Sequence, residues 1–280
     1  MQPVSTAQTR PPSSVTAKPG RIAALKIGVG RVCMWQGGSL WIGREVGRAH
    51  PHAHHGIQIS LSLDGPAGKL LLRSGVEGGW PEFRAAIVKP NRPHEFDGLG
   101  GSIAQLFVEP ETVQGRSLLR RYAVDDVTAL PLEMIEPALN RLAALYADGG
   151  DDQALVAISQ GIVDTLAGAE RAQPSANPRI AAAIDFISQR MNSTLTLQQV
   201  AAAVHLSPSR LRHLFVQETG TTYRGYVLWL RINRAVVAMM DGRSWTEAAH
   251  ETGFADSAHL SRTFRRMFGI SPAMLIKEKR

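Results

Sequence analysis

The stretch Ser244-Trp-Thr-Glu-Ala-Ala-His-Glu-Thr-Gly-Phe-Ala-Asp-Ser-Ala-His-Leu-Ser-Arg-Thr-Phe264 reads as helix, turn, helix. Ser244 with Glu247 three residues on is a capping box, in which two side chains satisfy orphan backbone donors of a helix start. Thr252-Gly253-Phe254 is the turn, and Gly253 suits a backbone that needs positive φ. Asp256 is the N-cap of the helix that follows. The same order recurs upstream in Thr196-Leu-Gln-Gln-Val-Ala-Ala-Ala-Val-His-Leu-Ser-Pro-Ser-Arg-Leu-Arg-His-Leu-Phe215. There Thr196 and Gln199 form the box, Val204-His205-Leu206 is the turn, and Ser207-Pro208 supplies an N-cap with proline at the first helical position. His205 takes the place of Gly253, at a position His tolerates with less comfort. Two helix-turn-helix patterns in tandem point to a module that reads DNA.

Periodicity separates buried from free faces. Leu197, Val200, Ala201 and Val204 fall at i, i+3, i+4 and i+7 of the first supporting helix. Leu211, Leu214 and Phe215 form the inward stripe of the first recognition helix. Its outward face then carries Ser209, Arg210, Arg212, His213 and Gln217. In the second recognition helix Leu260, Phe264 and Phe268 point in, and Ser257, Ala258, Ser261, Arg262 and Arg265 point out. Arg can grip guanine with two hydrogen bonds, Ser can bond several base edges, and Ala can meet a thymine methyl. Charge agrees with this placement. From residue 176 onward 14 Lys and Arg face 7 Asp and Glu, whereas residues 1–175 are neutral, so the whole excess of +7 lies in the last part of the chain. Such a basic segment is the electrostatic footprint of phosphate contact.

These residues resemble the DNA-binding domain of the AraC/XylS family of bacterial transcription regulators. The likeness runs from about Pro178 to Ala273 and rests on Ala201, Leu206-Ser-Pro-Ser, Leu214-Phe215, Gly220, Tyr226, Arg231, Ala235, Ala248, Gly253-Phe254, Asp256, His259-Leu-Ser-Arg-Thr-Phe264, Gly269 and Ser271-Pro272. The resemblance implies two helix-turn-helix subdomains, homeodomain-like in build, joined by a long helix at about Tyr223 to Met240. It also implies recognition helices that enter successive major-groove turns. The family often carries Gly where His205 stands and Ile where Ala248 stands.

A chain of 280 residues is long enough for two domains with their own cores. The expected organisation is multi-domain α and β. Residues 1–20 are expected to form a disordered tail, 21–170 a β-barrel with two helices, 171–179 a linker, and 180–280 the all-α DNA-binding domain. The single cysteine, Cys33, excludes an intramolecular disulfide and fits a reducing compartment. No apolar run reaches the roughly 18 residues needed to span a bilayer, and no membrane partner is expected.

In the N-terminal part, Ile57-Gln-Ile-Ser-Leu-Ser-Leu63 alternates and ends at the turn Asp64-Gly65. Lys69–Arg73, Ala85–Lys89 and Ser102–Val108 are further strands. Helices follow near Glu133–Ala147 and Asp152–Ala167, with apolar stripes at Ile135, Leu139, Leu142, Leu145 and at Leu155, Ile158, Ile162, Leu166. The family resemblance implies a cupin-like jelly-roll sensor and helices that mediate a homodimer.

Five of the nine histidines lie at His50, His52, His54, His55 and His94. His52, His54, Gln58 and His94 resemble the cupin metal pattern, with Gln58 in the place of the usual carboxylate. On a strand His52 and His54 share a face, so they can converge on one ion. A neutral amide oxygen is a weak ligand, which argues against metal-dependent catalysis. These four residues are read as lining an effector or divalent-metal site; no cofactor is required by the sequence. The expected function is a cytoplasmic, nucleoid-associated regulator, not an enzyme. Its partners would be promoter DNA, RNA polymerase and a small-molecule effector. The alternative is a metal-dependent cupin enzyme with a DNA-binding tail. A DNA-repair fusion is disfavoured, since one cysteine cannot supply a four-thiolate zinc site.

Overall fold

The computed structural model describes residues 29–75, 79–122, 125–169, 177–190, 195–274 and 276–277. The expected tail, 1–20, and residues 171–176 of the expected linker lie outside these. The first half is a sheet of short and long strands: β1 (Val29–Trp35), β2 (Gly38–His52), β3 (Ile57–Ser62), β4 (Leu70–Ser74), β5 (Glu82–Phe83), β6 (Ala85–Val88), β7 (His94–Val108) and β8 (Val127–Ala129). Three helices complete it: α1 (Val113–Tyr122), α2 (Glu136–Ala147) and α3 (Asp152–Ala167). The second half is helical: α4 (Pro178–Gln189), α5 (Leu197–Ala203), α6 (Pro208–Thr219), α7 (Tyr223–Met240), α8 (Trp245–Glu251) and α9 (Ser257–Phe268). A last short strand, β9 (Ile276–Lys277), returns to pair in parallel with β1.

The sheet runs β8-β6-β3-β7-β2-β1-β9, with β4 hydrogen-bonded to β7 and to β5. Long strands β2 and β7 hold it together, and both are bent. The β2–β7 register slips at Gly43/Val46, Val46/Arg48 and Ala49/His52, and Glu45 and Leu99 take left-handed φ of 56° and 54°. Such bulges let one strand leave one pairing and enter another. Thus β7 pairs β3 through Ile103–Val108 and β4 through His94–Asp97.

Leu40, Ile59, Leu61 and Leu106 of the sheet pack under Leu139, Leu142, Leu155 and Ile162 of α2 and α3. Burying each such side chain stabilises the fold by about 1.5–3 kcal/mol. Leu142 and Leu155 are fully buried. Leu145 and Ile158 of the same stripes are only half-buried.

The helical half has its own core of Ile180, Ile187, Val200, Leu211, Phe215 and Tyr226. Helix α7 then leads into a second cluster that ignores the domain boundary. Trp229, Ile232, Leu260, Phe264 and Phe268 pack with Leu70, Leu72, Phe96 and Phe107 of the sheet. Because the burial is continuous across it, the sensor half and the helical half are docked.

Candidate DNA-binding face and sensor cavity

Each cap read from the sequence is formed. Thr196 and Ser244 each accept from the backbone N–H of the third helical residue, and Gln199 and Glu247 accept from the cap backbone in return. Ser207 Oγ accepts from Arg210 N at 3.2 Å, and Asp256 Oδ1 accepts from His259 N at 2.6 Å. The turns hold their left-handed residues, His205 at φ 53° and Gly253 at 76°. Arg231 donates to the Gly253 carbonyl at 3.0 Å and so braces the second turn from α7.

The recognition faces are open to solvent. Ser209, Arg210, Arg212, His213 and Gln217 on α6 are exposed, as are Ala258, Arg262 and Arg265 on α9. Ser257 and Ser261 are half-buried. Among the described residues the guanidinium groups of Arg210, Arg212, Arg262 and Arg265 make no hydrogen bond or ion pair. Four free cations on two capped helices are therefore available to an anionic partner.

The other predicted site lies at the opposite edge of α9. His52, His54 and His94 come together, all buried, with ligand atoms within 4.8 Å of one another. The route differs from the one expected. His52 ends β2, His54 lies in the connection to β3, and His94 starts β7 directly across from His52. A shared strand face therefore does not unite His52 and His54; a cross-strand pair and a turn do. Gln58, on β3, places Oε1 at 3.0 Å from His54 Nε2 and 3.3 Å from His94 Nε2, while its amide N–H donates to Ser60 Oγ at 2.9 Å.

Each ring is tied through Nδ1 to a backbone carbonyl: His52 to His50, His54 to Gly56, His94 to Arg92, at 2.7–2.8 Å. A carbonyl only accepts, so each Nδ1 carries the proton. Burial, partly offset by these bonds, lowers the His52 pKa to about 4 and that of His54 to about 3; His94 is held well below its ordinary value for the same reason. The three imidazoles are neutral at neutral pH. Beside them Glu95 is buried. Burial alone would raise its pKa, but Arg48 at 2.7 Å and Arg73 outweigh it and hold the carboxyl below its usual range.

The helical half forms the roof. Trp229 lies 5.8 Å and Phe268 6.2 Å from the His54 ring, centroid to centroid. His50 N donates to Gly269 O at 3.0 Å. A cavity of about 90 Å³ adjoins His52 and Gln58, walled by Trp41, Phe107, Met240 and Phe268. Sequence reasoning missed this roof. Phe268 looks like one more inward residue of α9, yet its inward neighbours belong to the sensor.

A helix-turn-helix family model matches residues 200–278. Over 87 residues, 30% of this chain, the sequence is 32% identical to the transcriptional activator RhrA of Rhizobium meliloti, and this covers 27% of that protein. Over 106 residues, 37% of the chain, it is 32% identical to the arabinose operon regulatory protein of Escherichia coli, covering 36% of it. The chain thus aligns with about a third of the length of these curated relatives. The fold of both halves together is similar to that of Vibrio cholerae ToxT in a structure bound to an unsaturated fatty acid. The TM-score is 0.51 at 13% identity, covering 86% of this chain and 97% of that one.

Proposed function

We propose that this chain, whose C-terminal domain is of the AraC/XylS type, is a sequence-specific transcription regulator that binds promoter DNA and answers a small effector held by its N-terminal half. The observation that carries this reading is the pair of capped recognition helices whose Arg212 and Arg262 are free and exposed. The basic excess of +7 beyond residue 176 supports it, because DNA affinity is largely phosphate neutralisation. The reading makes RNA polymerase a partner at the promoter and places the protein in the cytoplasm, on the nucleoid. It is not an enzyme in this account: Gln58 offers no ionisable group beside the histidines, and the site is roofed by the helical half. Residues 180–280 act as the DNA-binding domain and the sheet with α1–α3 as the sensor. Two chains would associate as a homodimer through α2 and α3, by residues of those helices other than the buried Leu142 and Leu155.

The effector is small and mostly apolar, with one polar end. A typical ligand pocket holds roughly 300–1,000 Å³, and this cavity has about 90 Å³. A larger effector must displace Phe268 and with it the end of α9, which carries Arg262 and Arg265. Filling the cavity and moving a recognition helix would then be one event. The fatty acid bound by the similarly folded ToxT fits this class of ligand.

The test is binding of the full chain to duplex DNA at several salt concentrations. Contact with about six phosphates gives a log–log slope of roughly −5, a loss of about 10³ in affinity between 50 and 200 mM salt. An affinity indifferent to salt refutes the reading.

A further inference from the structure

The three histidines pose an electrostatic problem. Each has its Nδ1–H committed to a carbonyl, so each Nε2 presents a lone pair. Gln58 turns its carbonyl oxygen, another acceptor, toward two of them at 3.0 and 3.3 Å. Acceptors face one another in a buried site with no proton between them, and burial makes that repulsion costly. Two things relieve it. The Gln58 amide can turn over, giving its N–H groups to His54 and His94 and its oxygen to the Ser60 hydroxyl. Otherwise a cation can sit among the lone pairs.

The spacing suits a cation. Metal–nitrogen and metal–oxygen bonds of about 2.1 Å put neighbouring ligands about 3.0 Å apart in an octahedron and about 3.4 Å in a tetrahedron. The two Gln58 distances fall in that interval. The His52 ring lies 4.1 Å from that of His94 and 5.7 Å from that of His54, centroid to centroid. The carbonyl that orients it belongs to His50, whose N–H is in turn bonded to Gly269 at the end of α9. A Cβ on Gly269 would lie 2.7 Å from His52 Nδ1, so glycine is what lets the helix end come close to this ring.

We propose that Nε2 of His52, His54 and His94, with Oε1 of Gln58, hold one divalent first-row transition cation, and that the ion fastens the sensor to the end of α9. Imidazoles select zinc, iron, nickel, cobalt or copper over magnesium or calcium. Carbonyl bonds to every Nδ1 fix the tautomer and raise ligand basicity, the outer-shell arrangement usual at metal histidines. No carboxylate joins the set, since both oxygens of Glu95 are held by Arg48 and Arg73. The ion keeps its positive charge and an open position toward the cavity, where water or an anion would complete it. The fastening half of this proposal rests on the regulatory reading; the cation site does not.

The experiment uses the full chain, stripped with chelator and then titrated with Co²⁺ while the visible absorption is followed. One equivalent should bind, with the bands of nitrogen and oxygen ligands and no thiolate charge-transfer band. His54→Ala and His94→Ala should each weaken binding at least 100-fold. Gln58→Glu, which keeps shape and adds a charge, should tighten it at least tenfold and guards against a variant that merely misfolds. Hydrogen exchange should slow severalfold in peptides spanning residues 264–274 on loading, and not in His94→Ala. Absence of a cobalt spectrum, a spectrum retained in the double variant His54→Ala/His94→Ala, or an unchanged Gln58→Glu affinity overturns the site. Stoichiometric binding with unchanged exchange at the end of α9 overturns the fastening. Duplex binding by the stripped chain reports on the regulatory reading separately.

Discussion

Replacing Gly56 with Ala tests the docking of the two halves through a single carbon atom. Gly56 lies in the connection between β2 and β3, and a Cβ there would stand 2.8 Å from Trp229 Cζ2 and 3.1 Å from Cη2. Ordinary carbon contacts begin near 3.5 Å. Phe107, Phe268 and His54 pack against the indole at 6.2, 6.1 and 5.8 Å between centroids, so a shift of the ring disturbs all three. Overpacking of this kind costs about 1–3 kcal/mol, which in a chain of this size lowers the melting temperature by roughly 2–6 °C. Gly161→Ala is the control. It sits inside α3 with nothing within 4 Å of the added carbon, and alanine should gain roughly 0.5–1 kcal/mol over glycine there. Trp229→Phe removes the two ring atoms that clash. The cost of Gly56→Ala should therefore shrink by more than half in that background when the cycle is followed by thermal unfolding. A Gly56→Ala melting curve equal to the parent's, or strict additivity with Trp229→Phe, would refute the docked arrangement.

Other expectations follow the same geometry. Arg212→Ala and Arg262→Ala should each lose about 1–3 kcal/mol on a selected site and relax the preference for one base there; equal losses on random duplex in a mobility-shift titration would show phosphate contact alone. Leu142→Glu puts a charge into the sheet–helix core, so it should unfold the sensor half rather than separate a dimer, which circular dichroism and sedimentation distinguish. Glu109 faces α7 across a cavity that also contains Arg234 and Trp229. Burial, then the neighbouring Glu111, raise its carboxyl from 4.5 to about 7, with His55 opposing. Ionising it costs more folded than unfolded, so its stabilisation is complete below pH 4.5 and is lost as pH rises through 7. Glu109→Gln should thus raise stability by about 2 kcal/mol at pH 8, after allowance for partial exposure, and change little at pH 4.5. A gain of equal size at both pH values would remove Glu109 titration from the account.

What the sequence revealed, it revealed where the signals are local. The two helix-turn-helix units and the left-handed turn at His205 follow from capping residues, periodicity and a single φ preference, all set within a few residues, whereas the span of α7 comes from the family resemblance. The sensor was legible in pieces. Residues 57–63 alternate cleanly, but β2 and β7 are each 15 residues long and bent at Glu45 and Leu99, so their alternation breaks. Helix α1 lacks an acidic first turn, and three of its ten residues are arginine. The histidine set was recognisable by spacing, whereas its true geometry depends on the His52–His94 cross-strand pair. The roof of Trp229, Phe268 and Gly269 had no local signal, because those residues meet the sensor only through contacts more than a hundred residues apart in the chain.

The most direct test of the central claim is selection of binding sites from a pool of random duplexes by the full chain, followed by sequencing. Two recognition helices, both capped and both exposed, should enrich a two-part motif whose halves lie about 10–10.5 base pairs apart on one face of the helix. Arg212→Ala should erase preference in one half and Arg262→Ala in the other. Enrichment of no motif, or of a one-part motif insensitive to both substitutions, would contradict the account.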